Sequence, residues 1–240
     1  MGIETRLVDY RDADGVFEGK LAWDDSIEGP RPGVVVAHTI RGRSGFEEDK
    51  AGRLAEMGYA GFAIDVYGKQ AIGSEFDDCR RMMEALRSDR ATLQRRLLLA
   101  VEALRGQPEV DASRIAAIGY CFGGLCVLDI ARTGEPLAGV VSFHGLFDAP
   151  GNTDGNRIQA RILALHGWDD PLATPGQAVA LGAELTGMGA DWQLHCYGNV
   201  RHAFTNPAAD ASTGVTVYNA DADRRSWAAA KYFLSELFGT

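Results

Sequence analysis

The segment Gly-Tyr-Cys-Phe-Gly-Gly at 119–124 constrains the fold more than any other part of this chain, and it follows the apolar run 115–118. Small residues on both sides of a reactive one are typical of a strand that turns sharply into a helix, because strand and helix approach closely there. The amides that begin such a helix stabilise a thiolate or an oxyanion. The segment therefore predicts a nucleophilic Cys121, and the residues alone leave open a small buried cysteine packed against a sheet.

An acidic loop follows a second apolar segment. Positions 160–166 are typical of a buried strand, and Gly-Trp-Asp-Asp-Pro at 167–171 has the composition of a loop. Open parallel sheets place their chemistry at the carboxyl ends of the strands. Asp170 is the predicted acid, and Asp169, otherwise an exposed turn or helix-cap carboxylate, is its rival.

A histidine in a loop comes after the acid. Positions 192–197 alternate as a strand does, and 198–204 leave it as a loop that contains His202, the only loop histidine downstream of the acid. The remaining histidines end apolar strands, lie within one, or follow one, and structural or pocket-lining roles are expected for them: His38, His144, His166 and His195. Nucleophile, acid and base thus occur in the chain order used by one large class of hydrolases.

These motifs together resemble the dienelactone hydrolase family of the α/β-hydrolase fold over nearly the whole chain. The resemblance also rests on Arg-His-Ala-Phe at 201–204, Val-Val-Val-Ala at 34–37 and Ala-Ile-Asp-Val-Tyr-Gly at 63–68. It implies a catalytic triad of Cys121, His202 and Asp170. It also implies an oxyanion hole formed by the backbone amides of Ile40 and Phe122. The implied substrate pocket is lined by the side chains of Thr39, Tyr67, His144, Trp168 and Phe204.

Two positions depart from the family pattern. Dienelactone hydrolase itself has a glutamate in the oxyanion loop where this chain has Thr39, and an arginine shortly after the catalytic histidine where this chain has Thr205-Asn206-Pro207. A strong carboxylate anchor is therefore missing at these positions, and the alternatives that could substitute for it are Arg41, Arg43, Arg80 and Arg81. The expected substrates are small neutral activated esters, aryl esters best, with promiscuous phosphotriester hydrolysis as in dienelactone hydrolase-like phosphotriesterases. The alternatives are a true dienelactone or lactone hydrolase and a non-catalytic ligand or redox sensor.

Charge and composition narrow the function classes further. The 240 residues include 24 basic and 33 acidic side chains, a net charge of −9, which disfavours nucleic acid and anionic membranes as partners. No segment approaches the ~18 apolar residues of a membrane span, and residues 1–6 have no apolar core of the kind found in secretion signals. We expect a cytoplasmic monomer or homodimer. The four cysteines have neither zinc-site nor disulfide spacing, and neither metal nor organic cofactor is expected.

Strands and helices alternate along the whole chain. The pattern predicts one domain over 1–240, with a mostly parallel twisted sheet, helices on both faces and an N-terminal antiparallel hairpin over 5–10 and 16–22. Further strands are expected at 33–37, 59–66, 115–118, 137–143, 160–166 and 192–197. Helices are expected at 46–57, 75–104 with a break near Ser88-Asp89, 175–185 and 221–237.

Overall fold

The computed structural model describes residues 2–239, and strands and helices alternate through most of them. The strands are β1 (Ile3–Asp12), β2 (Gly15–Asp24), β3 (Arg31–Ala37), β4 (Ala60–Ala63), β5 (Val110–Tyr120), β6 (Gly139–Phe143), β7 (Arg161–Gly167) and β8 (Trp192–Tyr197). The helices are α1 (Gly45–Ala55), α2 (Phe76–Ser88), α3 (Arg90–Arg105), α4 (Phe122–Arg132), α5 (Pro175–Gly187) and α6 (Ala220–Phe238).

The strands form one mixed sheet in the order β1-β2-β4-β3-β5-β6-β7-β8. The first two strands are antiparallel to their neighbours, whereas β3 pairs with β4, and β6, β7 and β8 pair with one another, in parallel. The predicted α/β class, with its antiparallel N-terminal hairpin, is confirmed. Contacts along the chain separate two compact units, one ending at Ile118 and the other starting at Gly119. The single domain over 1–240 stays a prediction.

The first unit begins with the hairpin of β1 and β2, in which Asp12 pairs with Gly15 across a two-residue turn. Helix α1 starts at a capping box, because the Ser44 side chain accepts from the backbone while Glu47 bonds back to the Ser44 amide. The helix lies close to β4. A Cβ on Gly61 would stand 2.4 Å from the backbone oxygen of Ala51, so only glycine permits this approach.

The second unit places three strand ends at one edge. Strands β6, β7 and β8 run parallel, with Phe143 level with Leu165 and Gly167 level with Tyr197. Their carboxyl ends therefore lie together, and the loops that follow them share that edge. Every residue of α4 is buried, as expected for a helix that is apolar on most of its surface.

Several element ends differ from the predicted ones. Strand β4 stops at Ala63 and does not reach 66, because the Asp65 carboxylate accepts bonds from the amides of Tyr67 and Gly68 and turns the chain. The predicted break in the helix over 75–104 is confirmed at Asp89, which ends α2 and caps α3 by accepting from the Thr92 amide. Strand β5 extends over 110–120, well beyond the predicted 115–118.

Within residues 2–239, no helix combines the length and the apolar character needed to cross a bilayer.

Candidate active site

Cys121 stands at the sharp turn between β5 and α4. Its backbone has φ 57° and ψ −116°, a conformation that a non-glycine residue adopts only under strain of ~1–3 kcal/mol. The Cys121 amide donates to the Phe143 carbonyl at 3.0 Å and to Nδ1 of His144 at 3.2 Å. The residue is half-buried, at the N-terminus of the eleven-residue helix α4. A thiolate there faces the positive end of the helix dipole and remains within reach of a substrate.

Two glycines make this turn sterically possible. A Cβ on Gly119 would lie 2.0 Å from the carbonyl oxygen of Gly123, and a Cβ on Gly124 would lie 2.6 Å from Cα of Gly145. Both contacts are with backbone, which cannot move aside as a flexible side chain can. The glycine pattern that predicted the turn therefore reflects close backbone packing around Cys121.

Replacing Gly119 with alanine is expected to destabilise the fold by about 3 kcal/mol, because the new methyl group overlaps the backbone of α4. Gly52→Ala in α1 is the control: no atom lies within 4 Å of its Cβ position, so helix propensity should stabilise the fold by ~0.5–1 kcal/mol. Urea unfolding followed by circular dichroism measures both changes. Equal small effects at the two positions would contradict the packing argument.

Asp170 and His202 are bonded to each other in a buried position. Nδ1 of His202 lies 2.7 Å from Oδ2 of Asp170, and each residue is only 1% exposed. The other carboxylate oxygen accepts from the amides of Leu172 at 2.8 Å and Ala173 at 3.3 Å. Asp169 is exposed, and no bond of its side chain is seen within residues 2–239. The structure thus pairs the histidine with Asp170, the acid favoured over its neighbour.

The surroundings of His202 favour its charged form. Burial lowers the pKa of the imidazole, but the charge of Cys121 and the hydrogen bond to Asp170 outweigh burial and raise the pKa to about 10. Nε2 of His202 is buried and has no hydrogen-bond partner of ordinary geometry among residues 2–239. The Cys121 thiol is nevertheless near enough to help raise the His202 pKa. The arrangement favours a thiolate–imidazolium pair.

Two further histidines at strand ends differ in how their rings are bonded. His144, after β6, is 1% exposed, and both ring nitrogens are bonded, Nδ1 to the Cys121 amide and Nε2 to Oγ1 of Thr205 at 2.8 Å. His166, in β7, is fully buried, and neither of its ring nitrogens finds a partner within 2–239. Burial lowers the pKa of His166, partly offset by the charge of Asp170.

The other predicted pocket residues in the second unit differ in exposure. Trp168 is 41% exposed in the acid loop, where a ligand can reach it. Phe204 is fully buried, with its ring 5.0 Å from that of His144 and 5.6 Å from that of Tyr197. The structure gives Phe204 a packing position against the rings of His144 and Tyr197. Its role in a pocket, like that of Trp168 and His144, stays a prediction.

Three predicted site residues belong to the first unit and lie together there. The Tyr67 hydroxyl donates to the Ile40 carbonyl at 3.1 Å, and the Thr39 amide donates to Glu47 at 3.0 Å. The Glu47 carboxylate, which has no exposed surface, also binds Ser44 and so fixes the loop that follows β3. The oxyanion role of Ile40 and Phe122 stays a prediction.

Thr205 bonds to a residue of this site but is not among the predicted site residues. In the sequence it marks only the place where the family arginine is absent, whereas in the structure its hydroxyl bonds His144 and the residue is 1% exposed. The only signal in the sequence was its place directly after Arg-His-Ala-Phe. No group of three His, Cys, Asp or Glu side chains within 2–239 is arranged to hold a metal ion.

Comparisons with known proteins identify the family of this chain. The model of the dienelactone hydrolase family matches residues 17–238. A solved structure of a dienelactone hydrolase-like promiscuous phosphotriesterase from metagenomic libraries is 40% identical, covers 99% of this chain and 100% of that chain, and superposes with a TM-score of 0.93. An uncharacterised protein of Caenorhabditis elegans is 36% identical over 160 residues, 63% of this chain and 98% of its own. Carboxymethylenebutenolidase of Pseudomonas putida is 25% identical over 211 residues, 85% of this chain and 88% of its own. The chain belongs to the dienelactone hydrolase family and is a hydrolase of that type.

Proposed function

We propose that this hydrolase cleaves small, neutral, activated carboxylic esters, aryl esters best, through a Cys121-His202-Asp170 triad. The observation that carries the proposal is the buried 2.7 Å bond between Asp170 and His202, whose pKa responds to the charge of Cys121. The strained, half-exposed position of Cys121 at the start of α4 supports its role as nucleophile.

Acylation begins from the thiolate–imidazolium pair. Sγ of Cys121 attacks the ester carbonyl carbon, and the oxygen of that carbonyl becomes an anion held by the amides of Phe122 and Ile40. As the intermediate collapses, the bond to the leaving oxygen breaks and His202 transfers its Nε2 proton to that oxygen. The products of this step are a thioester on Cys121, a neutral His202 and a free phenol.

Deacylation returns the enzyme to its starting state. Neutral His202 takes a proton from water, and the oxygen of that water attacks the thioester carbonyl. The carbon–sulfur bond then breaks, which releases the carboxylic acid and restores the thiolate beside the imidazolium. Asp170 keeps Nδ1 of His202 as the donor throughout, so that Nε2 faces the reacting atoms.

Two departures from the family pattern favour a neutral substrate. Thr39 has no charge, and Thr205, which follows the histidine loop, has its hydroxyl on the His144 ring. No arginine occurs at 205–207, where the family binds a substrate carboxylate. A carboxylate-bearing lactone would therefore lose an anchor worth ~1.5–3 kcal/mol in charged hydrogen bonds, whereas an aryl ester loses nothing.

Phosphotriester hydrolysis is a second candidate activity. It is favoured by the 40% identity and 0.93 TM-score with a dienelactone hydrolase-like promiscuous phosphotriesterase. An uncharged phosphotriester presents an electrophilic centre and an oxygen that gains charge on attack, so the same thiolate and amides would serve. Lactone hydrolysis, suggested by the relationship to carboxymethylenebutenolidase, is the competing outcome.

Intact-mass spectrometry tests the proposal directly. Brief exposure to p-nitrophenyl acetate should place an acetyl group on Cys121 that turns over in the wild type and accumulates or fails to form in His202→Ala. A parallel reaction with diethyl p-nitrophenyl phosphate tests the second activity. Cys196→Ala is the matched control, because Cys196 is an exposed thiol outside the triad. Labelling of Cys196 in place of Cys121, or turnover that survives Cys121→Ala, would refute the triad.

A further inference from the structure

We infer that His144 is a positioning residue that ties the backbone of the nucleophile to the loop of the base. This inference rests on the proposed function, since it assigns His144 a part in the reaction of Cys121 and His202. It differs from the pocket-lining role predicted for His144, because the ring is only 1% exposed and both of its nitrogens are engaged.

The contacts of the ring join two distant segments. Nδ1 accepts from the Cys121 amide at 3.2 Å, 23 residues away in sequence. Nε2 lies 2.8 Å from Oγ1 of Thr205, 61 residues away on the other side. Thr205 is three residues beyond His202, and the ring of His144 also stands edge-on to that of His202, with centroids 5.2 Å apart. One side chain therefore contacts the nucleophile's backbone, the base and the loop of the base.

These bonds determine the tautomer of His144. A backbone amide can only donate, so Nδ1 must be unprotonated. The neutral ring then has its proton on Nε2, which donates to Oγ1 of Thr205. Both bonds are made by the neutral ring. In the other tautomer the bond from the Cys121 amide fails, because Nδ1 then carries the proton, although the Thr205 hydroxyl can still donate to Nε2.

The backbone at both ends of this connection is strained. His144 has φ 38° and Ala203, next to His202, has φ 57°, and neither is a glycine. Such conformations persist only where surrounding contacts fix them, at ~1–3 kcal/mol each. The His144 amide donates to the Leu165 carbonyl at 2.8 Å, which anchors the residue to β7. The ring bonds anchor the base loop in turn.

Loss of the connection should appear in catalysis rather than in substrate affinity. A misplacement of about 1 Å between nucleophile and base costs on the order of 10²-fold in rate. Thr205→Val keeps the shape of the side chain and removes the acceptor for Nε2. We expect it to lower kcat on p-nitrophenyl acetate by about 10-fold to 10²-fold, with KM changed by less than about twofold. Thr205→Ser keeps the hydroxyl and should restore most of the rate.

A double-mutant cycle separates positioning from general support of the fold. The amide oxygen of His144→Asn can replace Nδ1 as acceptor for Cys121, but its side chain is too short to reach Thr205. Adding Thr205→Val to His144→Asn should therefore have no further effect on kcat. If the two substitutions acted independently, their separate reductions in kcat would multiply. His195→Asn is the control, since His195 is exposed on β8 and should leave kcat unchanged.

A second measurement distinguishes failure of this inference from failure of the proposed function. The ring ¹⁵N shifts of His144 report the bond to Nδ1 whether or not an ester is cleaved, whereas the Cys121 amide keeps a second acceptor in the Phe143 carbonyl. In the wild type, Nδ1 should have the shift of an unprotonated nitrogen and Nε2 that of a protonated one. If the wild type turns over the ester but Thr205→Val keeps its full kcat, or if the protonated nitrogen is Nδ1, the inference is wrong. Absence of turnover in the wild type refutes the proposed function alone, and the ring shifts then decide the role of His144.

Discussion

Replacing Asp170 with asparagine is expected to lower kcat on an aryl ester by about 10³-fold to 10⁴-fold, with a much smaller change in KM. The carboxylate accepts from Nδ1 of His202 at 2.7 Å and from the amides of Leu172 and Ala173. An asparagine side chain would keep the oxygen toward those amides and turn its NH₂ toward Nδ1. The imidazole would then have to accept at Nδ1 and hold its proton at Nε2, which is the wrong tautomer for taking a proton there.

Asp169→Asn is the matched control for this experiment. It makes the same change of charge one residue away, in an exposed side chain. We expect its kcat to remain within about twofold of the wild type, as is usual for exposed sites away from packed features. Steady-state kinetics with p-nitrophenyl acetate measures both variants. Similar losses in the two, or a larger loss in Asp169→Asn, would show that the acid is wrongly assigned.

The free energy of unfolding is expected to fall as pH rises from about 8.5 to about 10. Although burial opposes the charged ring, the Cys121 charge and the Asp170 bond raise the pKa of His202 from 6.5 to about 10 in the folded protein. In a thiolate–imidazolium pair the folded protein holds one proton on His202, and between about pH 6.5 and about pH 8.5 the unfolded chain holds one on the thiol, so the two states bind equal numbers of protons there. Above about 8.5 the unfolded thiol loses its proton, while the folded ring keeps its proton until the pH approaches about 10. At ~1.4 kcal/mol per pKa unit, the loss of stability over this window is about 2 kcal/mol.

Variants isolate the contribution of this one ring. Urea unfolding at several pH values between 6.5 and 10 should show a shallower decline in His202→Gln than in the wild type. Cys121→Ala removes the largest influence that raises the pKa, so its decline should lie between the two, and NMR titration should show a lower His202 pKa. An identical pH slope in the wild type and in His202→Gln would contradict the raised pKa.

The sequence predicted the elements of the site better than the links between them. Glycine spacing predicted the turn at Cys121, and strand periodicity predicted that Asp170 and His202 follow strand ends. Turns and strands can be predicted in this way because each depends on residues that are neighbours in the sequence. The bond between His144 and Thr205 spans 61 residues, and no local pattern reports which side chains meet across two loops. The choice of Asp170 over Asp169 depended on the family resemblance. The structure has Asp170 buried and bonded to His202 and Asp169 exposed, and the role of Asp170 as the acid stays a prediction.

The oxyanion pair of Ile40 and Phe122, the single domain, the cytoplasmic location and the choice between monomer and homodimer stay predictions. Strand ends differed where side chains turn the chain, as Asp65 does after β4. Periodicity follows the apolar residues and does not register such local hydrogen bonds.

The fully buried His166 ring makes the end of β7 a target for protein engineering. Neither nitrogen finds a hydrogen-bond partner within residues 2–239, and a buried polar group left without a partner costs ~1–3 kcal/mol. That is a substantial share of the ~5–15 kcal/mol by which domains are stable. A search for heat-resistant variants would therefore begin with apolar replacements of His166. This residue lies in β7, one strand before the loop of His202, and is not part of the triad. The equally buried His144, bonded at both nitrogens, should be left alone in any such library.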